Sequence, residues 1–163
     1  MTEPIYLIQL LLLLCIANGA PVFATKLFKD RFAAPLDGGL MLPDGSRLLG
    51  ASKTLRGIAV SICCTTLAAP ILGLDWVLGA MIASASMAGD LASSFVKRRL
   101  GLKVHTQAFG LDQIPEALLP LLLLRSRLHL SGVDILLQVA AFVLFEIVLS
   151  YLLFKLRIRE QPY

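Results

Sequence analysis

Charged side chains are scarce in this chain and unevenly placed: Asp, Glu, Lys and Arg make up 16% of 163 residues. They gather in short segments between long apolar runs. Hydrophobic residues reach 57% and the mean hydropathy is +0.80. A soluble domain of this length would expose far more polar surface, so the composition points to lipid as the solvent. Cysteine is also sparse. Cys15, Cys63 and Cys64 all lie in apolar runs, and no CxxC-type metal spacing occurs. Adjacent Cys63 and Cys64 do not suit a simple disulfide framework, and free Cys behaves as a small hydrophobe, so all three are expected to be buried packing residues. No basic stretch precedes the first apolar run, where Glu3 is the only charge; that run is read as a retained span and not a secretory leader. There is no P-loop spacing, no internal repeat, and no GxxxG run to flag an interface between helices. The net charge of +4 is carried between apolar runs. That pattern fits membrane topology and phosphate contact, and argues against a nucleic-acid partner.

Residues 1–163 are read as one all-α membrane domain with about five transmembrane helices. A bilayer core needs about 20 apolar residues in helix. Segments 5–23, 57–74, 76–95 and 133–154 meet or approach that length. Segment 111–124 is short and carries Pro115 and Pro120, so a kinked or partial crossing is expected there. Trp76 stands where an interfacial aromatic belongs. With five spans, thirteen of the fifteen Lys and Arg residues fall on one side, leaving Arg125 and Arg127 opposite. The positive-inside rule then places the N-terminus outside and the C-terminus in the cytoplasm. Two basic cytoplasmic loops follow, at about 24–56 and about 96–110. The first is long for a connector and rich in turn formers, Gly38, Gly39, Pro43, Asp44 and Gly45.

Asp90 is the most informative single residue, lying in the run Ser84-Ala85-Ser86-Met87-Ala88-Gly89-Asp90. An acid near the bilayer centre costs about 2.5–3.5 kcal/mol on insertion scales, so it normally faces a cavity and serves a function. The competing reading places it near the interface, paired with Lys97 two helical turns on. The small residues before it would allow close approach of other helices or a ligand. Lys53, Thr54 and Arg56 stand beside a predicted helix start, whose free N–H groups favour phosphate. A basic topology anchor explains them as well. Lys97, Arg98 and Arg99 carry the same two readings. Asp112 opens the fourth segment, either as a helix cap or as a functional acid, with Glu116 one turn on. His105 is read as a solvated loop residue. Acids and bases thus converge on one membrane face. Asp90 and Asp112 could hold a hard cation such as Mg²⁺, while Lys53, Arg56, Lys97 and Arg98 neutralise substrate phosphates.

These residues resemble a known family. Ala17-Asn18-Gly19-Ala20-Pro21-Val22, Arg47 to Gly57, Gly89-Asp90, Ser94-x-Val96-Lys97-Arg98 with Lys103, and Gly110-Leu111-Asp112-Gln113 are similar, in order and placement, to the CDP-archaeol synthases. That family is a compact branch of the membrane CTP:phosphatidate cytidylyltransferases. The resemblance implies a Mg²⁺-dependent enzyme of the cell membrane, facing the cytoplasm, that joins CTP to a lipid phosphate. The products would be a CDP-lipid and pyrophosphate, for phospholipid biosynthesis. It further implies Asp90, Asp112 and Lys97 as catalytic residues, with Asp90 and Asp112 at the metal. Asn18, Lys53, Thr54, Arg56, Lys97 and Arg98 would bind nucleotide and phosphate. The lipid would be archaetidic acid-like or phosphatidic acid. Two departures stand out. The family usually has an acid near the positions of Val104 or His105, and a second three residues after the one matching Asp112. Here Pro115 occupies that second position, and Glu116, the third candidate metal ligand, follows one residue late, turned by about 100° on a helix. The alternative reading is a catalytically altered relative that binds a lipid phosphate or serves as a membrane subunit. A transporter fits less well, because the polar residues gather at one interface and not at the midplane between repeats.

Overall fold

The computed structural model describes residues 3–102 and 110–155. Within them the regular structure is helical: α1 (Pro4–Phe28), α2 (Leu55–Ile71), α3 (Trp76–Arg99), α4 (Gln113–Leu123) and α5 (Gly132–Lys155). Local chemistry sets the helix starts. Proline occupies the first turn of α1, where its missing N–H costs nothing. The Thr54 hydroxyl caps α2 by accepting from the Gly57 N–H at 3.1 Å. Ser131 and Asp134 bond reciprocally at the head of α5, at 2.9 and 3.2 Å, in the manner of a capping box.

At 1.5 Å per residue, α1, α3 and α5 are about 36–38 Å long, α2 about 26 Å and α4 about 17 Å, against a hydrocarbon core of about 30 Å. Among the described residues three helices are long and apolar enough to cross a membrane, Pro4–Phe28, Trp76–Arg99 and Gly132–Leu152. The fourth apolar run is indeed short, an 11-residue helix containing Pro120, followed by turns from Leu124 to His129. The chain still travels from one end of the bundle to the other. Asp112 pairs with Lys97 near the end of α3, whereas Arg127 pairs with Asp75 just before its start.

α3 is the centre of the bundle: 56% of its apolar window is buried, against 28% for α1 and 22% for α5. Small residues make this possible. A Cβ added to Gly79 would lie 2.7 Å from the Ala69 Cβ of α2, and one on Gly89 would lie 2.6 Å from the Pro115 carbonyl carbon of α4. Around this spine pack Leu10, Leu13 and Leu14 of α1, Leu121 of α4 and Phe142 of α5. The Gln138 amide of α5 adds a polar tie, donating to the Leu7 carbonyl at 2.6 Å.

The cysteine expectation needs correction. Cys63 and Cys64 are exposed on the outer face of α2, and Cys15 is only partly buried. An apolar residue facing lipid needs no burial in protein, so inward placement does not follow from its character.

The segment 29–54 is a folded platform. Antiparallel bridges join Pro35 to Thr54 and Met41 to Arg47. Between the second pair, the Leu42 N–H donates to the Ser46 carbonyl at 2.9 Å, with Gly45 at φ +75° supplying the left-handed conformation that glycine accepts.

Candidate functional site

Two ion pairs lie along one face of α3. The Lys53 ammonium donates to both oxygens of Asp90, at 2.5 and 2.6 Å. Seven residues further, and therefore on nearly the same face, Lys97 meets Asp112 at 2.6 Å. Side-chain exposure is 21% and 18% in the first pair and 12% and 19% in the second. Both pairs are thus largely withdrawn from solvent yet reachable. Asp90 lies nine residues before the end of α3, about 14 Å along the helix axis. The reading in which Asp90 pairs with Lys97 is therefore overturned: each has a different partner, delivered by a different loop.

Helix packing brings the third acid in. Because Gly89 has no side chain, the first turn of α4 rests against α3 at Pro115. The Glu116 carboxyl then lies beside Asp90, within side-chain hydrogen-bonding reach, and close enough to Lys53 and Glu146 to feel their charges. Glu116 thus approaches Asp90 despite standing one residue late. Glu146 itself was overlooked in the sequence, although an acid inside the fifth apolar run meets the same criterion as Asp90.

Other candidates have separate tasks. Asn18 bridges α1 to α3, its amide donating to the Ser86 hydroxyl at 2.9 Å, one turn below Asp90. Thr54 is committed to capping α2. Arg56 is not brought to the acids. Its guanidinium donates to the carbonyls of Lys29 and Arg31, at 2.7 and 2.5 Å, and so clasps the chain leaving α1. Arg98 is buried, 8% exposed, with its side chain against Gly50. Arg99 ties α3 to the 41–47 segment. It donates to Asp44 at 2.7 Å, the Ser46 hydroxyl at 2.7 Å and the Arg47 carbonyl at 2.8 Å, and lies over the Phe95 ring. Lys103, Val104 and His105 lie outside the described residues.

Asp37 is a polar centre that the sequence reading passed over. Its carboxylate, with a side-chain exposure of 0%, accepts from the N–H groups of Gly39, Leu49 and Gly50 and from Arg47. Burial pushes this carboxyl up, but the four donors outweigh it and hold it at about 2. Asp44 is likewise held below its ordinary value, chiefly by the Ser46 N–H, with the Ser46 hydroxyl and Arg99 adding to it against partial desolvation.

Among the described residues no group of three or more His, Cys, Asp or Glu side chains is arranged to hold a metal by itself. The neighbouring carboxyls of Asp90 and Glu116 fit a different requirement. Mg²⁺ keeps several waters and takes one or two carboxylates together with substrate phosphates.

The long apolar helices and the buried polar face of α3 define a helical membrane protein with an internal acid–base site. The chain belongs to the CDP-archaeol synthase family, whose CarS-like model matches residues 73–163. It is 35% identical to a CDP-archaeol synthase of Pyrobaculum calidifontis over 96% of this chain and 98% of that protein. A CDP-archaeol synthase of Sulfurisphaera tokodaii is 34% identical over 91% of this chain and 89% of its own length. Among solved structures, an intramembrane enzyme for archaeal membrane lipid biosynthesis superposes with a TM-score of 0.78 at 33% identity, over 88% of this chain and 91% of the other.

Proposed function

We propose that the protein is a cytidylyltransferase that transfers CMP from CTP to a lipid phosphate, giving a CDP-lipid and pyrophosphate. The relatives' name, CDP-archaeol synthase, points to a prenyl-ether glycerol phosphate as the lipid. The observation that carries the reading is the pair of stacked ion pairs on α3, Lys53–Asp90 and Lys97–Asp112. Each contains a cation suited to phosphate beside an anion suited to a metal.

In this mechanism an oxygen of the lipid phosphate attacks the α-phosphorus of CTP, and the bond to pyrophosphate breaks. Lys53 leaves Asp90 for a phosphate oxygen and Lys97 leaves Asp112, so each cation exchanges one anion for another, and the carboxylates they release would be left to offset a bound Mg²⁺. Both then offset the charge that builds on the transferring and leaving phosphates. Asp90 and Glu116, with Asp112 in support, would hold Mg²⁺, which would supply further neutralisation of the triphosphate. Asn18 lines the site from α1, and Arg98 supports the loop that carries Lys53. The proposed setting is the cell membrane, with five crossings, the N-terminus outside and the site facing the cytoplasm, in keeping with the basic residues at the Lys97 end.

A catalytically altered relative is the second reading, favoured by Pro115 at a family acid position. Purified protein in detergent, given radiolabelled CTP, Mg²⁺ and either prenyl-ether glycerol phosphate or phosphatidic acid, separates the two. CDP-lipid from one acceptor supports the transferase and names its substrate. CTP binding without product from either acceptor supports the altered relative.

A further inference from the structure

Lys53 lies in a loop, and a loop lysine that must meet Asp90 needs its backbone fixed. The fixing group is sixteen residues earlier. Asp37 Oδ1 accepts from the Gly39 N–H at 3.0 Å and from Arg47 Nη2 at 2.8 Å. Asp37 Oδ2 accepts from the consecutive N–H groups of Leu49 and Gly50, at 3.2 and 3.0 Å. Two successive N–H groups converge on one oxygen beside Gly50 at φ +102°, a conformation that side-chain-bearing residues rarely adopt.

From that point the path to Lys53 is short and bonded throughout. The Lys53 N–H donates to the Gly50 carbonyl at 3.2 Å, and the Leu36 N–H donates to the Lys53 carbonyl at 2.8 Å. One residue to either side, Pro35 bridges Thr54, which caps α2. Asp37 thus joins the segment before Gly38 to the turn at Gly50, and Lys53 is held from both. The side chain of Arg98, from the end of α3, lies against Gly50.

We infer that Asp37 is the positioning residue for Lys53, setting the loop backbone so that the Lys53 ammonium reaches Asp90 and, in turn, substrate phosphate. The phosphate half of this statement rests on the cytidylyltransferase reading; the link from Asp37 to Lys53 does not. The chemistry demands a carboxylate. Both oxygens serve as acceptors and none of the four donors can reverse. In Asp37→Asn the amide nitrogen must face either Leu49 and Gly50 or Gly39 and Arg47, donor against donor. A buried donor left without an acceptor is costly, and relieving that cost displaces the turn at Gly50.

Brief acetylation with acetic anhydride, read by mass spectrometry, tests the inference directly. An ion-paired ammonium is a poor nucleophile, so wild-type Lys53 should label slowly relative to exposed Lys26 and Lys29. Asp37→Asn should raise Lys53 labelling several-fold against those two references, and Arg47→Met, which removes one donor, should raise it less. Where Asp37→Asn fails to fold, Arg47→Met decides. Unchanged Lys53 labelling in the folded variants overturns the inference, and so does an equal rise at all three lysines, which reports general loosening. CTP turnover of the same samples addresses the other reading. A selective rise with reduced kcat/KM for CTP supports both. A selective rise with unchanged turnover leaves Asp37 as the positioning residue and removes Lys53 from phosphate binding. A wild type that makes no CDP-lipid defeats the transferase reading while the labelling still decides the inference.

Discussion

Gly89 of α3 and Pro115 of α4 touch without an intervening side chain: a Cβ on Gly89 would lie 2.6 Å from the Pro115 carbonyl carbon and 3.0 Å from the Glu116 nitrogen. This contact brings Glu116 to Asp90. It gives the position of Pro115 a structural meaning, since backbone there packs where the family usually carries an acid.

Gly89→Ala should therefore separate α3 from α4. Overpacking of this kind typically costs about 1–3 kcal/mol, to be read as a lower thermal midpoint in detergent. CDP-lipid formation should fall more than Ala88→Ser makes it fall, because Ala88 is exposed and bears on neither acid. Wild-type turnover in Gly89→Ala would show that the approach of Glu116 is irrelevant to chemistry.

Asp90→Asn should lower kcat by at least about 10²-fold, the scale of losing one preorganised charge contact in a transition state, with the helical content retained. It also strands the Lys53 ammonium. Asp90→Leu combined with Lys53→Met should consequently be more stable to heat than Asp90→Leu alone, since breaking a withdrawn pair costs more than replacing it. Additive losses in that comparison would mean that the two side chains do not pair in the folded protein.

Much of this was legible in the sequence because bilayer physics writes itself into long patterns. All five described helices fall on the five apolar runs, and the acid singled out in the third run lies in an ion pair of the candidate site. Partner choice was not legible. Lys97 is seven residues from Asp90 and was the nearest base along the helix, yet Lys53, 37 residues away, takes Asp90 because the 29–54 platform folds back onto α3. The roles of Asp37 and Arg56 were not legible for a related reason: their partners are mostly backbone groups, which leave no residue type to read. The outward placement of Cys63 and Cys64 was hidden because apolar character does not distinguish a protein-facing from a lipid-facing position.

Arg99→Glu should free the hairpin at 41–47 from α3, since it removes bonds to Asp44, Ser46 and the Arg47 carbonyl and sets like charges together. Trypsin cleavage at Arg47 should become faster, while labelling of single introduced cysteines keeps the wild-type orientation. A reversed orientation with unchanged cleavage would return Arg99 to the role of a topology anchor.

Acid should loosen the same platform. The Asp37 carboxyl lies at about 2 in the folded chain against an ordinary 3.8. A depressed folded-state value stabilises above the unfolded value, and that contribution is lost as pH falls from about 4 towards 2. The thermal midpoint of wild type should thus exceed that of Asp37→Asn at pH 6, and the gap should close across that window. A gap that stays constant down to pH 2 would contradict the bonding described for Asp37.

The most direct test of the central claim is a structure determined in lipid with CTP and Mg²⁺ bound. The account predicts that Lys53 Nζ will have left Asp90 for a phosphate oxygen, with the Asp90 and Glu116 carboxyls turned to the metal. A nucleotide bound elsewhere, with the Lys53–Asp90 and Lys97–Asp112 pairs intact, would contradict it.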